Sequence, residues 1–310
     1  MVISANLEKF YNLPVKDFES DGDIGDFSRV APRVRCHYDD PNTLADHIDK
    51  LLAEPGAGAM RALVLGMWAE NGEAFEVTPR EAIELLVANK QKLPNLEALF
   101  VGDIVCEENE ISWIQNGDMS PIWSAFPNLR EFGVRGGNGL RLGRINHGSL
   151  RKLVIQTGGL AAAIAREALE ANTPIEHFEL WLGDEGYGLT TQIGDLNDLF
   201  EGKLFPNLKT LALRNCDFAD EIAVRLAHSA ILTRIEHLDL SMGTFRDPGA
   251  EALIASAKIG HLKSLDIQHH YVSPELCGRL AAATPNLIAG PAETADVWNG
   301  ETHYYVSVAE

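Results

Sequence analysis

Apolar residues recur along the chain in a three-point pattern: one position, then the third and the fifth after it. Eight copies begin at Met60, Leu96, Leu129, Leu150, Ile175, Leu208, Ile235 and Leu262. The clearest are Leu208-Lys209-Thr210-Leu211-Ala212-Leu213 and Ile235-Glu236-His237-Leu238-Asp239-Leu240. Alternation within each copy predicts a short strand with one face buried. Helix signals follow most copies. Thr78-Pro79-Arg80-Glu81 reads as a capping box with proline at the first helical position, opening a helix through about Asn89. Asp247-Pro248 and Ser273-Pro274 repeat the cap-plus-proline start, and Leu160 to Asn172 and Asp220 to Ala230 read as alanine-rich helices. An earlier strand is expected at Val34-Arg35-Cys36, a helix near Thr43 to Leu52, and a final strand at Tyr304 to Val308.

The copies start 36, 33, 21, 25, 33, 27 and 27 residues apart, so the last units are near-uniform and the longest intervals carry extra loop. Recurrence at roughly 20 to 30-odd residues is the mark of a leucine-rich-repeat solenoid. Strand and helix in constant succession predict an α/β horseshoe with a concave parallel sheet and convex helices, capped at both ends. No interdomain linker is visible. Residues 1–310 read as a single domain, with an N-terminal cap and first strand–helix unit over 1–55, repeats over 56–284, and a C-terminal cap over 285–310.

Several segments are similar to those of one group of proteins: Gly102-Asp103-Ile104-Val105, Ile111-Ser112-Trp113-Ile114-Gln115, Val134-Arg135-Gly136-Gly137, Leu180-Trp181-Leu182-Gly183 and Leu238-Asp239-Leu240-Ser241-Met242-Gly243. The ending Tyr305-Val306-Ser307-Val308-Ala309-Glu310 is similar too. The chain resembles, over essentially its whole length, a bacterial family of cytoplasmic leucine-rich-repeat proteins of unassigned function, with repeats of the ribonuclease-inhibitor class. That resemblance implies a fold and a cytoplasmic address. It carries over no catalytic or binding residue.

Charge narrows the partners. With 45 acidic and 26 basic residues the formal charge is −19, which repels phosphate backbones and makes nucleic acid and anionic membrane poor partners. No stretch approaches the roughly 18 to 20 apolar residues of a membrane span, and the N-terminus lacks the basic start and apolar run of an export signal. Four cysteines without paired spacing fit a reducing compartment. The expected address is the cytoplasm.

Within each copy the third, fifth, seventh and eighth positions should face the concave side. The seventh-position column includes Arg135, Gln156, Trp181, Arg214 and Gln268; the fifth includes Glu179, Asp239 and Asp266; the third includes His177 and His237; His269 is an eighth-position residue. These eleven residues are the candidate binding face. Trp181 sits mid-array beside Arg214, so it is either the anchor of a partner contact or packed on neighbouring strands. Asp239 and Asp266 should lie about 4.8 Å apart on adjacent strands, where a cation, an arginine or a shared proton would relieve their repulsion. A solvated pair partly neutralised by Arg214, a dock for a basic group and a catalytic or metal role all remain open for them. Gln268-His269-His270-Tyr271 with His237 is the best metal or acid–base cluster, but adjacent strand histidines point to opposite sides and do not chelate easily.

Other signals read as structural. Gly136-Gly137-Asn138-Gly139 lacks the dinucleotide spacing, and Asp21 to Asp26 lacks the twelfth-position glutamate of a calcium loop. Cys216 and Cys277 read as core thiols, and Trp68, Trp113 and Trp123 as residues holding long connections to the coil. The chain is therefore expected to be a non-catalytic recognition or scaffold protein that binds another protein without a cofactor or metal. The alternatives are an enzyme or accessory factor with a shallow carboxylate/histidine site at the C-terminal end of the face, and a structural subunit of a larger complex.

Overall fold

The computed structural model describes residues 3–18, 24–69 and 76–309. The chain divides into two compact units. One is built on the residues up to Gln156 with Glu170–Thr173, the other on Thr157–Leu169 and Pro174–Ala309. In the first, β1 (Lys9–Phe10) and β2 (Leu13–Asp17) form an antiparallel hairpin. Then β3 (Ala31–Val34), β4 (Ala62–Leu65), β5 (Ala98–Val101), β6 (Glu131–Arg135) and β7 (Lys152–Gln156) add in parallel and in sequence order. Helices α1 (Leu44–Ala53), α2 (Arg80–Ala88) and α3 (Ser120–Ala125) connect them.

The second unit opens with α4 (Ala162–Leu169) and β8 (His177–Gly183), followed by α5 (Asn197–Phe200) and β9 (Thr210–Cys216). Next come α6 (Ala219–His228), β10 (His237–Asp239), α7 (Asp247–Ser256), β11 (Ser264–Asp266), α8 (Pro274–Ala283) and β12 (Leu287–Ile288). A separate hairpin, β13 (Asp296–Trp298) with β14 (Glu301–His303), precedes the tail. Strands β8 to β12 pair in parallel and in order. This is the expected leucine-rich-repeat solenoid architecture.

Register explains why the pattern reads so clearly. His177, Thr210, His237 and Ser264 are lateral neighbours, as are Phe178, Leu211, Leu238 and Leu265. Every fourth- and sixth-position residue therefore stacks on its own kind, and Leu63, Leu99, Phe132, Leu153, Phe178, Leu211 and Leu265 are fully buried. Opposite charges at second positions pair laterally within each unit: Glu97 lies 2.6 Å from Arg61, Glu176 2.6 Å from Lys209, and Glu236 2.6 Å from Lys263. Asn95 and Asn128 donate side-chain amides to Gly58 and Pro94 carbonyls one repeat earlier, tying successive units together.

Several expectations are corrected. The first repeat strand is Ala31–Val34, not Val34–Cys36, because β2 pairs Val15 with Ala31 and sets the start. Helix α2 is capped by Pro79 without a side-chain hydrogen bond, so Thr78 forms no capping box. Asp247 does not cap its own helix. Instead Asp220 of α6 accepts the Arg246 and Gly249 amides at the start of α7, and Asp247 in turn accepts the Ser273 amide at the start of α8. A carboxylate from the previous repeat thus serves orphan donors that a local cap would otherwise satisfy. Gly249 is required there, since a Cβ would lie 2.7 Å from the Asp220 carboxylate. Finally, Tyr304–Val308 forms no strand.

In the N-terminal unit the sheet face expected to be open is covered by the chain's own start. Phe10 packs with Ala31, Ala62, Val64, Ala98 and Phe100, joined by Leu7, Tyr11, Leu13 and Val15. Asp103 is fully buried beside this cover. Its carboxylate accepts the Leu7 amide and lies 3.0 Å from Arg33 Nη1 and 3.6 Å from Arg135 Nη1.

Candidate recognition site

The two units treat their sheet faces differently. In the N-terminal unit, Arg135 and Gln156 are buried and spent on each other: Arg135 Nε donates to Gln156 Oε1 at 2.9 Å and Nη1 to the Ile104 carbonyl at 2.7 Å. The Arg135 guanidinium also stacks on Phe100. Both residues complete the internal network around Asp103.

In the C-terminal unit, alternation along β8 puts His177, Glu179 and Trp181 on one side. The Glu179 carboxylate accepts Trp181 Nε1 at 2.8 Å and Arg214 Nη1 at 3.2 Å, and lies 3.1 Å from His177 Nε2. Arg214, from β9, stacks over the Trp181 ring at 5.3 Å, donates Nε to Ser241 Oγ, and lies 3.3 Å from Asp239 Oδ2. Burial alone would raise the Glu179 pKa. The His177 hydrogen bond and the Arg214 charge outweigh it and hold the carboxyl at about 2. Trp181 and Glu179 are only 6% and 8% exposed, so they form a floor. His177, Arg214, Asp239, His237 and Asp266 stand half-buried above it, and Gln268 is exposed.

Asp239 and Asp266 are register partners, as the sequence implies. Each uses one oxygen to accept the amide two residues on, from Ser241 and Gln268 respectively. Burial, and then the Asp239 charge, raise the Asp266 pKa, with Arg214 offsetting part of this. The patch therefore sets three carboxylates against one guanidinium. His237 pairs its Nδ1 with Ser264 Oγ at 2.7 Å.

The histidine pair separates, but both residues lie beyond β11 and His269 takes a left-handed φ of 58°. His269 Nε2 meets the Tyr305 carbonyl at 2.9 Å. His270 is buried, accepts the Val272 amide on Nδ1, contacts the Gly290 carbonyl through Nε2, and has its pKa lowered by burial. Among the described residues no group of three or more His, Cys, Asp or Glu side chains is placed to hold a metal ion. Part of the Asp21 to Asp26 run lies outside the described residues.

Of the remaining signals, Trp68 and Trp123 bond loop carbonyls (Val77 and Leu142), while Trp113 is 56% exposed. Cys216 is buried and its thiol is pushed well up by burial, which makes it inert as a nucleophile. Gly136 and Gly139 take positive φ in a turn whose carbonyls are held by Asn116. A further acidic site escapes sequence reasoning. Asp217 lines an open cavity of about 400 Å³ with Glu185, Thr190, Gln192, Phe218 and Glu221. Burial and the charges of Asp184 and Glu185 raise its pKa to about 6. Only the alignment of β8 with β9 brings these acids together, and no local spacing announces it.

Comparison with known proteins agrees with the fold. A family profile described as "Leucine Rich repeat" matches residues 206–227 and 233–253. A solved protein from Bacteroides fragilis is 29% identical with a TM-score of 0.77, covering 90% of this chain and 78% of that one. An internalin from Listeria monocytogenes aligns at 12% identity and a TM-score of 0.35, over 87% of this chain and 75% of that one. No curated protein matches. The chain carries leucine-rich repeats in a leucine-rich-repeat fold and is similar to the Bacteroides fragilis protein. Among the described residues no helix is long and apolar enough to cross a membrane.

Proposed function

We propose that this chain is a non-catalytic recognition protein that binds another protein through the sheet face of its C-terminal unit. The observation that carries the reading is the Trp181–Glu179–Arg214 floor beneath the Asp239–Asp266 pair. Hydrogen bonds fix its geometry before any partner arrives, which lowers the ordering cost of binding. An aromatic and an arginine at the centre of a polar rim form the usual hot-spot composition. Three carboxylates facing one guanidinium leave a net negative patch, so the partner is expected to bring a lysine or arginine between Asp239 and Asp266. The single-domain and cytoplasmic readings belong to this proposal; the unbroken run of repeats supports the first, and the unpaired cysteine spacing and the resemblance support the second.

Purification from the native host tests it. A stoichiometric polypeptide held through size exclusion supports recognition, and its release by salt fits an acidic patch. A tightly held metal or small organic molecule with no polypeptide would favour a shallow carboxylate/histidine site instead.

A further inference from the structure

The C-terminal tail occupies a groove that has the attributes of a peptide-binding site. It lies along the ends of β9, β10 and β11, where Asn215, Met242 and His269 hold equivalent repeat positions and share left-handed φ of 52°, 69° and 58°. That conformation bends the backbone at Asn215, near the end of β9, and at Met242 and His269, beyond β10 and β11. Asn215 clamps Val308 in both directions: its Nδ2 donates to the Val308 carbonyl and its Oδ1 accepts the Val308 amide at 2.9 Å. The Met242 carbonyl accepts the Ser307 amide at 2.7 Å. Tyr271 Oη accepts the Tyr305 amide and donates to the Tyr305 carbonyl, which also meets His269 Nε2.

All of these bonds go to tail main chain. Side-chain selection comes from enclosure, with Val306, Ser307 and Val308 only 7%, 4% and 2% exposed. Main-chain hydrogen bonds that supply affinity, with pockets that choose side chains, are the general logic of extended-peptide recognition. The attachment is the second observation. Every residue from Gly290 to Tyr305 is exposed or half-buried, with Glu293 donating its amide to the His270 carbonyl and β13–β14 forming a hairpin, so the three enclosed residues follow a surface segment. A segment joined in cis holds its end at an effective concentration on the order of millimolar, so a partner segment must compete with it.

We propose that this groove is a binding site for an extended segment of a partner protein carrying β-branched, small and β-branched residues in succession, and that the tail is its competitor in cis. The proposal does not depend on the sheet-face reading, since apart from His269 it uses a different set of residues. A fluorescein-labelled Tyr-Tyr-Val-Ser-Val-Ala peptide is the probe, measured by anisotropy against the full chain. In the full-length V306D/V308D variant the cis competitor is removed, and the peptide should bind about tenfold or more tighter than to the native chain. Adding Asn215→Ala should abolish that gain. A folded V306D/V308D chain that binds no tighter overturns the proposal, as does binding indifferent to Asn215→Ala. A tail-swapped dimer forming at the same concentrations would assign the groove to a second copy and overturn the partner assignment. If the double variant fails to fold, amide exchange on the native chain decides. Millimolar peptide should accelerate exchange at Ser307 and Val308, and unchanged rates overturn the idea.

Discussion

Replacing Glu179 by glutamine keeps the shape of the side chain and removes its charge from beneath Arg214 and His177. The carboxyl titrates at about 2 in the folded chain against 4.5 when free. At about 1.4 kcal/mol per pH unit that gap is worth about 3 kcal/mol of stability. Because the folded pKa is depressed, the contribution is complete above the unfolded value and is lost as pH falls from about 4.5 toward 2. Urea unfolding of the native chain and Glu179→Gln should therefore differ by about 3 kcal/mol at pH 7 and by about half that at pH 3. Glutamine still accepts the Trp181 indole N–H, so the change isolates charge from shape. A difference under about 0.5 kcal/mol at pH 7, or one that does not shrink in acid, would refute the reasoning that Arg214 and His177 are held by this carboxylate.

Two further outcomes follow from groups outside the patch. Asp217→Asn should stabilise the chain at pH 7 by about 1–2 kcal/mol, a value discounted for its half-exposure. The Asp217 pKa is raised to about 6, so its ionised form penalises the fold increasingly as pH rises from about 4 through 6. The gain should vanish in urea titrations at pH 4. Asp103→Asn weakens the buried pairing of Arg33 and Arg135 and should cost about 3 kcal/mol in urea unfolding. It also loosens the amide contact of Leu7. Limited proteolysis should then cut within residues 3–13 faster than in the native chain.

The repeats were legible because register repeats in space what spacing repeats in sequence. All eight apolar triplets became strands, and Asp239 meets Asp266 as their shared fifth position requires. Exposure was not legible in the same way. Alternation puts Ala62, Val64, Ala98 and Phe100 on the helix-free side, but it does not reveal that Phe10 and Leu13, some 50 residues or more before Val64, fold back over them. Their apolar character was the available signal, since an open face would not carry an Ala-Val-Ala-Phe surface. Gly133 carries the same message, because the Phe100 ring fills the space where its Cβ would be.

Helix caps were misassigned for a related reason, although the helices begin where expected. Asp247-Pro248 has the local form of a cap, yet the carboxylate that serves α7 comes from Asp220, 26 residues before Arg246. Repeat proteins place such donors and acceptors laterally, beyond the window of a local motif. The Arg214–Glu179–Trp181 floor was half legible. The column positions named its members, while the burial of Trp181 and Glu179 depends on Arg214 lying across the ring.

Partner capture with matched baits tests the central proposal most directly. The native chain and an Arg214→Glu/Asp266→Lys variant, shown equally folded by urea unfolding, would be used to recover partners from the native host for mass identification. The account predicts one stoichiometric polypeptide with the native bait and its loss with the variant, because the charge pattern of the patch is inverted. Recovery of the same polypeptide in equal yield by both baits would contradict it.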